Sequence, residues 1–349
     1  MRLVGLATSD SPDEPSQASY YQQLASQLEA AVHEALAKGS KRLLGAYLQS
    51  LLAYPDACTK GEQVIDPGSG AVIAAVPPLP EANRYPKEQT LLDLVETEKR
   101  EGRRVLVYIT HTASRDISAR LESVLQEAGH RVANLKADTV PPERREEWVA
   151  QRVKGGLDIL LVHPRLVQTG LDLIDFPTIV WQEVEYSVYT MRQASRRSWR
   201  IGQRRPVRVV YLAYRATLQA QALTLVAKKL KASLAVEGEL GGDGLSTFGD
   251  DGEDLLMALA RSLTEQVGAN DESLEGLFAE FRESEQARDA ALDEAERTAP
   301  EVDVPTWPAP STPEADDAPS QDCPSVLPVP AQVVRFKEVD ASGQQLRLF

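Results

Sequence analysis

The chain has 349 residues, enough for one large domain or two ordinary ones, and 42% of them are hydrophobic, so a core can close. A net charge of -14 argues against nucleic acid if taken whole, but residues 237–349 hold 26 acidic and 7 basic side chains, which leaves the first 236 residues with a small basic excess suited to phosphates. No apolar stretch approaches the ~18 residues of a bilayer span, no signal-peptide apolar region opens the chain, and Cys58 and Cys323 lie too far apart to suggest a disulfide framework or a metal site, so a reducing cytoplasm and no membrane partner are expected.

In chain order, residues 18–54 read as two helices, with Tyr21, Leu24, Leu28, Val32 and Leu36 at helical spacing and a similar pattern over 42–52. Residues 55–88 hold six prolines and several glycines and read as an extended connection. From about Glu101 strands and helices alternate. Val105–Thr110 is a buried-strand run, Asp116–Glu127 an amphipathic helix ended by Gly129, and Arg131–Leu135 a short strand. Pro141 opens a helix that Thr139 or its neighbour would cap. Asp158–Val162 and Thr178–Trp181 are further strands. Val207–Leu212 is another, and Leu218–Leu234 reads as a long helix. This alternation implies an α/β fold with a parallel sheet flanked by helices, whose ligands sit at the carboxyl ends of the strands, beyond Thr110, Val162 and Trp181. After a glycine-rich break at 237–250, residues 251–268 and 272–297 read as helices, and residues 299–333 have the composition of a disordered segment. The expected organisation is a helical N-terminal segment and linker (1–88), the α/β lobe (89–236), an acidic helical extension (237–298) and a Pro-rich tail (299–349).

The most specific segment is Gln193–Gln203, which packs Arg196, Arg197, Arg200 and two glutamines into one run. Arg197 and Arg200 are three apart and on a helix would share a face. Two guanidiniums so placed suit a polyphosphate, whose oxygens accept from each fork; a solvated basic face is the plainer alternative.

Residues 193–203 fit Gln-Ala-x-x-Arg-x-x-Arg-Ile-Gly-Gln in full, and the chain here resembles the sixth motif of superfamily-two ATPases, most closely the Swi/Snf-type DNA translocases. The resemblance covers about residues 100–220 and implies the second RecA-like lobe of such an enzyme, with ATP and Mg²⁺ as cofactors and DNA as partner. It implies that Arg200 is an arginine finger, Arg197 its partner, and Gln193 a support of the nucleotide site. Val105–Thr110 resembles the fourth motif, with Thr110 and His111 at its phosphate-facing end. Ala137-Asp-Thr139 and Arg144 resemble the Gly-Ser-Thr and downstream arginine that meet DNA backbone, although Thr139 also reads as a plain helix cap. Gln168-Thr-Gly-Leu-Asp-Leu173 resembles the fifth motif, which implies DNA contact at Thr169 and nucleotide proximity at Gly170 and Asp172; a strand-ending turn is the alternative. Two departures mark a divergent branch. Glu183-Val-Glu-Tyr186-Ser-Val188 stands for Asp-x-x-Trp-Asn-Pro, and Trp199 stands for the usual histidine.

The phosphate loop and Asp-Glu-x-His motif of a first lobe are not found. Lys38-Gly-Ser-Lys41 lacks the spacing of the loop, and Asp293-Glu-Ala-Glu296 lies in a charged helical stretch. The expectation is therefore no ATP turnover by this polypeptide alone, with the first lobe supplied in trans or by a longer parent protein, or else a repurposed lobe. A non-enzymatic DNA- or partner-binding adaptor is the rival reading. The last five residues, Gln345-Leu-Arg-Leu-Phe349, resemble the bacterial sliding-clamp binding pentapeptide. That implies Leu346, Leu348 and Phe349 in an apolar groove, Gln345 at its edge and the Pro-rich segment as tether, near the nucleoid. An apolar C-terminal strand docked on its own domain is the other reading of these residues.

Overall fold

The structure is a computed structural model. It describes residues 2–9, 14–37, 43–66, 68–167, 170–183, 185 and 187–227, residues 294 and 297, and two short strands near the C-terminus. The helix expected at 251–268, the Pro-rich segment, Gln168, Thr169, Tyr186, Leu348 and Phe349 lie outside the described residues, the helix expected at 272–297 is described only at residues 294 and 297, and the helix expected at 218–234 is described to residue 227.

Six strands form one parallel sheet. They are β1 (Arg2–Val4), β4 (Val105–Tyr108), β5 (Val132–Leu135), β6 (Ile159–Val162), β7 (Thr178–Trp181) and β8 (Arg208–Tyr214), in the order β1-β8-β7-β4-β6-β5. The register pairs Tyr108 with both Val162 and Trp181, so β4, β6 and β7 end level and their following loops emerge side by side. These strands are continuous hydrophobic runs because both sheet faces are covered. Alternate residues serve opposite faces. Val105, Val107, Ile159 and Leu161 meet α3 (Pro86–Arg100) and α4 (Ser118–Glu127). Leu106, Tyr108, Leu160 and Trp181 belong to a core shared with α5 (Arg145–Lys154), α6 (Val188–Arg196), the helical residues 218–227 and the N-terminal helices α1 (Gln17–Ala37) and α2 (Leu43–Ala57). Trp181 packs between Tyr108 and Tyr211, with ring centroids 4.5 and 6.3 Å away.

Three local expectations differ from what forms. Residues 2–4 were not read as structured, yet β1 pairs in register with Leu212, Ala213 and Tyr214 and extends the sheet. The stretch 55–88 is not simply extended. Helix α2 runs through Pro55 to Ala57, and β2 (Glu62–Ile65) and β3 (Val72–Val76) make an antiparallel hairpin. Its turn is fixed by Asp66, whose carboxylate accepts from the Gly68 N–H and the Ser69 hydroxyl. No side chain caps the helix after Pro141; the Thr139 hydroxyl instead donates to the Lys136 carbonyl, 3.1 Å away.

A buried ion pair ties the N-terminal helices to the sheet. Lys87, in the first turn of α3, lies 2.8 Å from Asp56 of α2, and both side chains are 1% exposed. Gln219 donates to Asp56 and to the Leu52 carbonyl, each at 2.7 Å, and Lys87 also sits over the Tyr214 ring. The four partners come from four separate chain segments, so the network fixes their relative position. No described helix is long and apolar enough to cross a membrane.

Candidate functional site

The loops leaving β4 and β7 meet at one side chain that the sequence reading did not single out. Glu183 follows β7 and is buried. Its Oε2 accepts from the backbone N–H of Thr110 at 2.6 Å and of His111 at 2.7 Å, with the Thr110 hydroxyl at 3.3 Å. Burial pushes the Glu183 carboxyl above the ordinary carboxylate range, and the two N–H donors and Lys87 pull against that rise. From β6, His163 places Nε2 3.0 Å from the Thr110 carbonyl while its Nδ1 faces the Arg165 N–H. An Nδ1 that accepts leaves the proton on Nε2, which then donates to Thr110. The Thr110–His111 peptide is therefore held from both sides. Thr110 itself is buried with its hydroxyl turned to Glu183. In this arrangement Thr110 braces the loop. Two residues beyond His111, Ala113 holds a positive φ of 54°, a strained backbone of the kind that gathers at functional loops.

The second cluster lies where residues 170–176 meet 197–203. Gly170 has a φ of 77°, which glycine adopts without strain. After it, Leu171 and Leu173 bury their side chains and leave Asp172 outward. Helix α6 is capped by Ser187, whose hydroxyl accepts from the Thr190 N–H at 3.1 Å. It is held to the sheet where the Tyr108 hydroxyl donates to the Ala194 carbonyl. Its regular part ends at Arg196, so Arg197 and Arg200 do not share a helix face as expected. The chain tightens instead, with the N–H groups of Arg197, Ser198 and Trp199 each bonding three residues back. Arg197 is part-buried, and its carbonyl accepts from the Leu173 N–H at 3.0 Å. Gln203 donates to the Ile174 and Ser198 carbonyls, at 2.8 and 2.9 Å, which welds the two loops together. Across that weld Arg200 forms an ion pair with Asp172, both side chains half-exposed. The Arg200 guanidinium is thus presented at the surface and already engages an anion.

Of the remaining expected residues, Gln193 lies part-buried on α6, and Thr139 and Arg144 lie on the loop between β5 and α5. The neighbouring Arg145, not foreseen, is buried and donates to the Val140 and Leu166 carbonyls. Gln345 and Leu346 fall in β10 (Gln345–Arg347), which pairs antiparallel with β9 (Lys337–Val339). Among the described residues no cluster of three or more His, Cys, Asp or Glu side chains could hold a metal ion. Glu183 was legible only as a departure from a family pattern, and its role depends on the level ends of β4 and β7.

Residues 86–202 match the protein family described as helicase conserved C-terminal domain. The SWI/SNF-related matrix-associated actin-dependent regulator of chromatin subfamily A containing DEAD/H box 1 homolog of Caenorhabditis elegans is 27% identical over 188 residues, 51% of this chain and 19% of that protein. The TATA-binding protein-associated factor BTAF1 of Arabidopsis thaliana is 34% identical over 135 residues, 38% of this chain and 6% of that protein. A crystal structure of the C-terminal part of the Fun30 ATPase domain aligns with 63% of this chain and 85% of that chain, at 14% identity and a TM-score of 0.45. The chain thus spans a fifth or less of the length of these two curated relatives. Over residues 86–202 the chain thus matches the helicase conserved C-terminal domain, and in this region it is similar to Swi/Snf-related proteins.

Proposed function

We propose that this chain supplies the second RecA-like lobe of an ATP-dependent DNA translocase, working against a first lobe that holds ATP and Mg²⁺. The observation that carries this reading is the Arg200–Asp172 pair on the weld between residues 173–174 and 197–203. A guanidinium held at the surface by a half-exposed carboxylate can exchange that anion for phosphate oxygens with little rearrangement. ATP would supply the phosphoryl group. Arg200, with Arg197 beside it, would offset charge on that group, and Gln193, Gly170 and Asp172 would shape the wall around it. Mg²⁺ would belong to the first lobe. The loop braced by Glu183 would present His111, and Thr139, Arg144 and Thr169 would add contacts to DNA backbone. Gln345, Leu346, Leu348 and Phe349 would tether the lobe to a sliding clamp, and β10 would leave β9 to do so.

The test is DNA-stimulated ATP hydrolysis by this chain combined with a first-lobe polypeptide, with and without Arg200→Ala. The variant is expected to lose about 10³–10⁵ in rate, while its stability stays within about 1 kcal/mol because the ion pair it loses is half-exposed. An unchanged rate refutes the role of Arg200. Deletion of Leu348 and Phe349 should abolish capture by the clamp without changing that rate.

A further inference from the structure

The turn after α6 carries an apolar surface that neither the core nor the Arg200–Asp172 pair uses. Trp199 and Ile174 are about half-exposed and Ile201 is fully exposed. The Gln203 side chain ties the Ile174 and Ser198 carbonyls together, so these three side chains emerge from one loop cluster. The chain from 191 to 205 has six arginines and no carboxylate, and Arg196, Arg200 and Arg204 are exposed. Trp and Arg are the side chains that most often anchor interfaces, and exposed apolar side chains ringed by charge mark a place where something docks.

The same chain contains a segment of matching chemistry. Residues 271–285 carry six carboxylates against the single Arg282. Leu274, Leu277, Phe278 and Phe281 recur at i, i+3, i+4 and i+7, the spacing that gathers side chains on one face of a helix. An apolar stripe flanked by acids complements apolar side chains flanked by arginines. About 40 residues separate this segment from residue 227, and a chain of that length extends to at most about 140 Å, so reach does not limit contact. Linkage within one chain also raises the effective concentration to roughly millimolar, at which a weak contact is populated.

We propose that residues 271–285 dock on the Trp199–Ile201–Ile174 surface of their own chain. The contact stands apart from the ATPase reading, and its test uses no nucleotide. Acrylamide quenching of tryptophan fluorescence is compared between the 349-residue chain and a form lacking residues 271–285, with Trp199→Phe in each background to isolate the Trp199 signal. The deletion is expected to lose the protection of Trp199, a synthetic peptide of residues 271–285 to restore it, and added salt to weaken the restoration by screening. In the undeleted chain, Leu277→Ser with Phe278→Ser should reproduce the deletion. Equal Trp199 quenching with and without the segment overturns the proposal. So does protection that appears only as protein concentration rises with dimer formation in sedimentation velocity, which would seat a second copy on this surface.

Discussion

Replacing Glu183 by alanine tests the centre of the site. The side chain holds two backbone N–H groups, those of Thr110 and His111, at 2.6 and 2.7 Å. A hydrogen bond contributes about 0.5–1.5 kcal/mol to a neutral group and about 1.5–3 to a charged one, so the two together represent about 1–6 kcal/mol across the titration of the carboxyl. Removing a buried carboxylate also relieves its desolvation, which returns part of that sum. The net expectation for Glu183→Ala is a loss of about 2–4 kcal/mol, within the range of a broken buried network, or roughly 5–15 °C in Tm for a body of this size. Urea unfolding measures the loss, and amide exchange at Thr110 and His111 should accelerate with it. Glu183→Gln keeps an acceptor and removes the charge. Because burial raises the native carboxyl above its ordinary value of 4.5, the native state holds that proton more tightly. The stability contributed by this group is full below about pH 4.5 and is lost as pH rises through the raised native value. Wild type should therefore lose stability relative to Glu183→Gln across that rise. A Glu183→Ala variant within about 0.5 kcal/mol of wild type, with both amides as protected as before, refutes the bracing role.

Lys87→Ala should cost about 3–5 kcal/mol because it strands Asp56 in the interior, whereas Lys87→Met combined with Asp56→Leu should recover most of the loss; chemical denaturation of the two variants decides, and equal stability of Lys87→Ala and wild type refutes it. His130 is buried, and burial first, then Lys99, depress its pKa below 6.5. Its stability contribution is full above about pH 6.5 and is lost as pH falls through the depressed native value, so the difference in urea midpoint between wild type and His130→Gln should shrink on acidification.

The sequence by itself determined the elements that repeat a strong local pattern. The short, largely apolar runs at Val105–Tyr108, Ile159–Val162 and Thr178–Trp181, set between helical patterns, read as strands covered on both faces. The order of the arginine run and the Gly170-Leu-Asp-Leu173 segment pointed to one shared site. Asp172 could be named in advance because residues 168–173 resemble the fifth motif, and the burial of Leu171 and Leu173 on either side turns it outward. The ending of α6 before Arg197 was less legible, because nothing between Arg196 and Gly202 forbids a helix; the turn follows from the bonds of Leu173 and Gln203 to the neighbouring loop. Tertiary structure alone decided the rest. β1 is three residues long and has no pattern of its own, and only the free edge of β8 gives it a partner. Lys87 and Asp56 are 31 positions apart, and polar residues so spaced look solvated until α2 and α3 pack. Glu183 owes its role to strands that end level, since register is a property of pairing between distant segments, and no single segment carries it.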